Sequence, residues 1–406
     1  MTQNCMNIPM PSKDTSIKDV AKAFEEMMKE RRMPSPWDEH LLKCLATTCV
    51  NGDRMPKSSC TKDEVMQVKK LIGQLTIGPL DKNTGRLVAC CPVLYKRCME
   101  KTYDLENSTH YAMARIRAFC ASKEHQLKNE DLIANMQLQD DTMEAAMEKE
   151  SFGGVYDLMK RWKLFYTRMG WDKICDFEDK GQLGYMYAIF KDKNIMDLEK
   201  RTEKHTNARP ITPFCKHPMK RLLNYAAQGW NFLIKQLKGE HFILHKCKDF
   251  KAKVKQLNKK WKHVHKKESR SWDISGCYTH IPKGDVLEAL ERVIDLVRES
   301  PALHDVEGVF EGMKSPAIKA KTNKGIINVP KIGKGPAHWG RSSNMDRVNL
   351  TFKQLMDIAK FSLENAYFTM GDKIVQQTVG LPMGDPLSPA MCIATCAIMR
   401  SDSGPF

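Results

Sequence analysis

The sequence predicts an α+β chain. Apolar residues recur at helical spacing over much of its length, short runs rich in β-formers interrupt the helical stretches, and one pair of such runs reads as a hairpin. No internal repeat stands out. A length of 406 residues suggests two or three domains.

The elements follow in order. Ser16 with Asp19 resembles a capping box ahead of Ile17, Val20, Ala21, Phe24, Met27 and Met28, and Thr61 with Glu64 repeats the pattern ahead of Val65, Val68, Leu71, Ile72 and Leu75. Asp81-Lys82-Asn83-Thr84-Gly85 is a turn cluster, Arg86–Cys90 reads as a strand, and 109–150 reads as helical with a charged face. Leu183–Asp192 is rich in β-formers. A helix from Pro218 carries Leu222, Leu223, Ala226, Trp230, Leu233, Ile234 and Leu237 on its apolar side. Ser271–Ser275 reads as a strand, and a helix from Asp285 carries Val286, Leu290, Val293, Ile294 and Val297. The Lys-, Gly- and Pro-rich stretch 314–345 reads as a long loop, 352–366 as an amphipathic helix, and Tyr367–Gln376 as a hairpin turning at Gly371-Asp372.

Composition narrows the function classes. Apolar residues are 42% and charged residues 28%, which excludes wholesale disorder and collagen-like chains. No apolar run approaches the roughly 20 residues that span a bilayer, and no secretory h-region is visible, so no membrane partner is expected. The net charge of +16 points to a polyanionic partner, nucleic acid first. Between Lys246 and Arg270, eleven Lys and Arg face two acids, a local charge of +9. Lys251, Lys253, Lys255, Lys259, Lys260, Lys262, Lys266, Lys267 and Arg270 are therefore the candidate nucleic-acid contacts, with Trp261, His263 and His265 among them. None of the fourteen cysteines forms a C-x-x-C pair; they read as reduced, mostly buried thiols in an intracellular protein rather than as a metal site. A P-loop is absent from the sequence.

Three islands carry chemistry together. Asp273-Ile274-Ser275-Gly276-Cys277-Tyr278-Thr279-His280-Ile281-Pro282 ends a candidate strand with a carboxylate. Asp273 and the Ile274 carbonyl suit Mg²⁺, a hard cation that prefers oxygen. The ring of Tyr278 suits a position under the sugar of an incoming nucleotide. Gln377-Thr378-Val379-Gly380-Leu381-Pro382-Met383-Gly384-Asp385-Pro386-Leu387-Ser388-Pro389 combines two glycines, which permit close backbone approach, with three stiffening prolines and an apolar run that starts a buried helix. Such a loop packs against a base pair without reading its sequence. Arg209-Pro210-Ile211, with Lys191 and Lys193 upstream, offers cations to a triphosphate.

This order, R-P-I, then D-x-x-x-x-Y-T-x-I-P, then Q-x-x-G-L-P-M-G-x-P-L-S-P, resembles the core of reverse transcriptases. The variant is similar to Penelope-like retroelements, whose palm motif reads as an Asp followed by Tyr-Thr-Asn-Ile-Pro; Asp81–Gly85 and Tyr95 resemble an element of their N-terminal extension. The resemblance spans roughly residues 75–400 at motif level. It implies a right-hand polymerase: a mainly helical extension over 1–150 with the 81–85 element, a fingers-like region over 151–270 with the basic run 246–270, and an incomplete palm over 271–406. It implies RNA-directed DNA polymerisation by a two-metal mechanism, with two Mg²⁺ or Mn²⁺ ions, an RNA template, a DNA primer and dNTP as partners, and a nuclear location. Asp273 would be the catalytic carboxylate and, with Ile274, a metal ligand. Lys191, Lys193, Arg209, Tyr278, Gln377, Gly380, Met383 and Gly384 would line the nucleotide and template site.

Two departures qualify the expectation. Asp385 stands where the family has a small Ser; it either repels a triphosphate or caps the helix that follows, and the cap is the preferred reading. The family's aromatic-x-Asp-Asp hairpin does not follow Asp385 in this sequence. The chain is therefore expected to be truncated ahead of that motif and to have little or no polymerase activity. The alternative is a non-catalytic RNA- or hybrid-binding fragment, or a domesticated remnant.

Overall fold

The computed structural model describes residues 67, 70, 73–81, 83–134, 136–137, 152–191, 208–237, 247–263, 274, 276–299, 325–331 and 335–402. The helix expected around 16–28 and most of that expected over 61–75 lie outside these residues, as do Lys193, Lys266, Lys267, Arg270 and Asp273. The chain mixes helix and sheet, as expected, and divides into two compact units. The first unit is Met1–Cys98 with Ile189–Ala208; the second is Met99–Ala188 with Arg209–Phe406.

In the first unit, β1 (Thr76–Leu80) pairs antiparallel with β2 (Asn83–Cys90) from Thr76↔Cys90 to Leu80↔Asn83. The expected strand at Arg86–Cys90 is the second half of β2. Helix α1 (Pro92–Tyr103) follows and leads into the second unit, with Tyr95 edge-on to Phe190 at 6.0 Å.

The second unit corrects the helical reading of 109–150. Tyr111–Ala114 is strand β3 and Ile116–Arg117 is β4, and in the rest of the described part of that stretch the short helices α2 (Ala121–Glu124) and α3 (Asn129–Ala134) follow; 138–150 lie outside the described residues. The override is tertiary: β3 is the third strand of a sheet whose other members lie more than 250 residues later. β4 pairs with β5 (Phe152–Gly153), after which α4 (Val155–Arg168) begins. β6 (Tyr187–Phe190), shorter than the expected strand, pairs with β7 (Ala208–Ile211). Helix α5 (Lys220–Gln236) buries the stripe its sequence specifies, Leu222, Leu223, Ala226, Trp230, Leu233 and Ile234. Next come α6 (Cys247–Lys260), the four-residue α7 (Cys277–His280) and α8 (Lys283–Arg298), which buries Val286, Leu290, Val293, Ile294 and Val297.

The stretch read as a long loop contains strands. β8 (Ile326–Pro330) lies between β9 (His338–Trp339) and β10 (Arg347–Thr351) in one antiparallel sheet. Ile327, Val329, Val348 and Leu350 of that sheet are buried, so burial overrides the local Gly and Pro signal. Thr351 then caps α9 (Phe352–Glu364) in a capping box with Gln354. The hairpin forms as expected: β11 (Tyr367–Met370) pairs with β12 (Lys373–Gln377) around Gly371-Asp372, with Gly371 at φ +65°. β12 pairs in turn with β3. Helix α10 (Ser388–Asp402) closes the described chain and buries Ala390, Met391, Ala394 and Ile398. Helices α5, α8, α9 and α10 pack on one another as the apolar centre.

A second focus lies under α4. Trp162 is fully buried and donates its indole N–H to Asn365 Oδ1 at 3.1 Å. Phe165 stacks on Phe361 at 5.1 Å, and Trp171 meets Phe165, Tyr166 and Phe361 edge-on. His217 is buried between Phe214 and Trp162; its Nδ1 accepts the Met219 amide, and burial pushes its pKa down to about 3. Beside this cluster Arg161, 1% exposed, pairs with buried Glu124 at 2.5 Å and donates to the carbonyls of Arg117 (2.6 Å) and Ala118 (2.8 Å). The pair ties α4 to α2 and to the end of β4. Glu124→Ala leaves a buried guanidinium without its counter-charge and is expected to lower stability by about 3–5 kcal/mol. Chemical denaturation of the full chain measures this; a loss within error of zero overturns the buried pair.

Candidate functional site

Described parts of the three islands meet through backbone in the second unit: Tyr278–Ile281, Gly380–Gly384 and Thr212, the residue after Arg209-Pro210-Ile211. Gly276, in the left-handed region at φ +63°, opens α7, and the chain turns back at Ile281-Pro282 into α8. The loop after β12 runs along that turn. The Gly380 amide donates to the Ile281 carbonyl at 3.1 Å and the Leu381 amide to the Tyr278 carbonyl at 2.6 Å. Gly380 has φ +81°, and a Cβ there would lie 2.6 Å from the carbonyl oxygens of Thr279 and Tyr278. Four residues on, a Cβ at Gly384 would overlap the carbonyl oxygen of Thr212, directly after Arg209-Pro210-Ile211. Both glycines of the loop thus stand where its backbone passes too close to a neighbouring carbonyl for a side chain.

Side chains outside the motifs hold this arrangement. Tyr103 Oη donates to the Tyr187 carbonyl at 2.8 Å and accepts the Ile211 amide at 3.0 Å, which bridges β6 and β7. Lys283, at the start of α8, donates to the Gln377 carbonyl at 2.6 Å. Burial pushes the Lys283 pKa down to about 8, against the opposing pull of Glu364. Neither residue carries a motif signal; a lone Tyr in a helix and a Lys at a helix start are ordinary in sequence.

The expected site residues sort as follows. Tyr278 is partly buried against the core, and burial raises its pKa to about 12. Gln377 is buried at 1% exposure and turns inward: its Nε2 donates to the Val379 carbonyl at 3.0 Å, and its Oε1 has no hydrogen-bond partner in the structure. Gly380 is buried, Met383 half-buried and Gly384 exposed. Arg209 is half-buried in β7 and belongs to the second unit; Lys191 is exposed and belongs to the first. Ile274 is 65% exposed.

Asp385 is 3% exposed. Its Oδ1 accepts the Leu387 amide at 2.8 Å, immediately before α10, and its Oδ2 accepts the Ser362 hydroxyl. The carboxyl group therefore closes a turn just ahead of α10, and neither of these side-chain bonds reaches an amide of the helix itself. Burial raises its pKa to about 6, against the lowering effect of those two donors.

The described part of the basic run is exposed. Lys251, Lys253, Lys255, Lys259 and Lys260 lie on α6 and Lys262 just after it, all exposed. Phe250, Val254, Leu257 and Trp261 are exposed too, spaced to share one helix face. Among the cysteines whose side chains are described, Cys90, Cys98 and Cys392 are buried, Cys175 and Cys277 intermediate, and Cys91, Cys120, Cys215 and Cys396 exposed. This corrects the reading of mostly buried, scattered thiols: Cys277, Cys392 and Cys396 come together. The i, i+4 spacing of Cys392 and Cys396 was the available signal; their third partner is 115 residues from Cys392. Among the described residues no helix is long and apolar enough to cross a membrane.

No protein-family model and no curated protein matches the chain. Solved structures that align with it include apo telomerase from Candida tropicalis, with a TM-score of 0.44 and 9% identity, and telomerase from Candida albicans in complex with the TWJ fragment of telomeric RNA, with a TM-score of 0.35 and 12% identity. The first alignment covers 99% of this chain and 60% of that one; the second covers 62% and 40%. The chain thus spans less than two thirds of either telomerase chain. Likeness of this degree fixes neither fold nor activity.

Two outcomes follow from the geometry. Gly380→Ala adds the roughly 1–2 kcal/mol penalty of a left-handed residue to a backbone overlap, so a stability loss above about 2 kcal/mol is expected by denaturant titration; a neutral result would mean the loop does not sit on Tyr278–Ile281. Asp385 binds its proton more tightly in the folded chain, so the stability it contributes is full below about pH 4 and is lost as pH rises through about 6, on the order of 3 kcal/mol in total. His217 acts in the opposite sense, losing stability as pH falls below about 6.5. The difference between the chain and its Asp385→Asn variant isolates the first effect. The variant should gain on the parent from pH 4 to 7, and parallel profiles would contradict a buried carboxyl.

Proposed function

We propose that this chain is a reverse-transcriptase-like nucleotidyl-transfer core, as its Penelope-like resemblance implies, holding an RNA template, a DNA primer and an incoming dNTP. The observation that carries this reading is the meeting of the three islands: the backbone of Gly380–Leu381 on Tyr278–Ile281, and Gly384 against Thr212. Motifs that matched by chance would have no reason to share one locus.

The reaction would be in-line attack of a primer 3′-hydroxyl oxygen on the α-phosphorus of the dNTP, with a new P–O bond formed and pyrophosphate leaving. Tyr278, its backbone fixed by Leu381, would limit the space at the sugar and disfavour a 2′-hydroxyl. Arg209, its strand fixed by Tyr103, would offset triphosphate charge. The donors at the catalytic position, the Asp273 carboxylate and the Ile274 carbonyl, are both oxygen, and Ile274 is exposed, which fits Mg²⁺ or Mn²⁺. Such ions, when bound, supply charge neutralisation and a more acidic hydroxyl. The remaining contribution of the chain is positioning.

The exposed lysines around α6 support a nucleic-acid surface, and they favour a second reading in which the chain binds RNA or hybrid without catalysis. Primer extension on an RNA template with Mg²⁺, by the chain and by Asp273→Asn, separates the two. Incorporation that vanishes in the variant supports the polymerase reading. Salt-sensitive retention of the hybrid without incorporation supports the binding reading. Neither retention nor incorporation overturns both. Replacing Lys251, Lys255, Lys259 and Lys262 with Gln is expected to flatten the slope of log affinity against log salt by roughly 3, at about 0.7–0.9 per phosphate contact. An unchanged slope would exclude α6 from the contact.

A further inference from the structure

Outside the nucleotide site, one cluster of chemistry-bearing side chains stands out among the described residues. Cys392 and Cys396 lie one turn apart on α10 and face the same way. Cys277 is the first residue of α7. Its Sγ is 3.4 Å from Cys392 Sγ, and all three sulfurs lie within 4.8 Å of one another. The geometry points to a thiolate site for one Zn²⁺ ion, or another thiophilic cation of that size, held by Cys277, Cys392 and Cys396 with an exchangeable fourth ligand.

Four observations support this. A tetrahedral Zn²⁺ with Zn–S bonds of about 2.3 Å places its sulfurs about 3.8 Å apart, inside the range seen here. The donors are all sulfur, which suits zinc and disfavours the hard cations proposed for Asp273. Exposure rises from buried Cys392 through Cys277 to exposed Cys396, so the cluster has an entry path from solvent. The thiols also share protons unevenly. A hydrogen bond from Cys392 brings the Cys396 pKa down to about 6, the same bond holds Cys392 well up, and burial raises Cys277. Zinc bound by the three sulfurs would release the thiol protons of the cluster to solvent. A disulfide accounts for the arrangement less well, since it joins two sulfurs and leaves the third without a role. Bound zinc would tie the turn that carries Tyr278 to α10, whether or not the chain polymerises.

The test uses the full chain, reduced and anaerobic, titrated with Co²⁺ as a spectroscopic stand-in and then with Zn²⁺. The expected result is one equivalent bound, with thiolate-to-cobalt charge transfer and tetrahedral d–d bands that Zn²⁺ abolishes. Loss of an outer partner alone costs metal sites 10–100-fold, so loss of a direct ligand in Cys277→Ser or Cys396→Ser should weaken binding roughly a hundredfold or more. Cys215→Ser, at an exposed cysteine outside the cluster, should bind as the parent does. Cys396 is exposed, so its variant is expected to fold, and circular dichroism checks that it does. Equal binding by the parent and both cluster variants would place the metal on other cysteines and overturn the proposal. So would a chain that takes up no metal, or one in which mass spectrometry finds a Cys277–Cys392 disulfide instead.

Discussion

The second unit depends on a close approach of backbone to backbone. The loop from Gln377 to Pro389 lies against Tyr278–Ile281 at one end and against Thr212 at the other, with no room for a side chain at either contact. Glycine is required at 380 by both dihedral and distance, and at 384 by distance alone. Once these contacts are made, the neighbouring elements are constrained. β12 enters the loop with Gln377 anchored by Lys283, α10 leaves it with Asp385 just ahead of its start, and α7 is pinned beneath it. The prolines at 382, 386 and 389 limit the conformations the loop would otherwise sample.

Around this contact the polar groups are spent on positioning. Tyr103, Lys283, Ser362 and Asp385 all bond to backbone or to one another within the fold. Each shifted pKa there traces first to burial, with the thiol pair of Cys392 and Cys396 the exception.

The charge distribution separates two tasks. The convergence site is built from glycine, proline and buried apolar residues, whereas the described lysines of the basic run, Lys251 to Lys262, are exposed on and just after α6. Backbone complementarity fixes geometry over short distances. An array of lysines acts over a Debye length, about 8–10 Å at ordinary salt, and needs no fixed geometry.

Periodicity was enough to locate α5, α8, α9 and the β11–β12 hairpin, because each buries a stripe or closes a turn within its own sequence. The motif residues at 209–211, 278–282 and 377–389 were likewise legible, since glycine, proline and arginine carry their stereochemistry wherever they stand. Two kinds of feature were not. β3, β8 and β9 read as helix or loop because their partners are distant in sequence or their local residues are turn formers, and only pairing and burial make them strands. The roles of Tyr103, Lys283 and the three cysteines were hidden for a related reason. Local periodicity and residue type, set by the chain's covalent order, determined its helices and its motifs; which distant atoms come within bonding distance was decided by packing, which alone brings Cys277 to Cys392 and Gly380 to Tyr278.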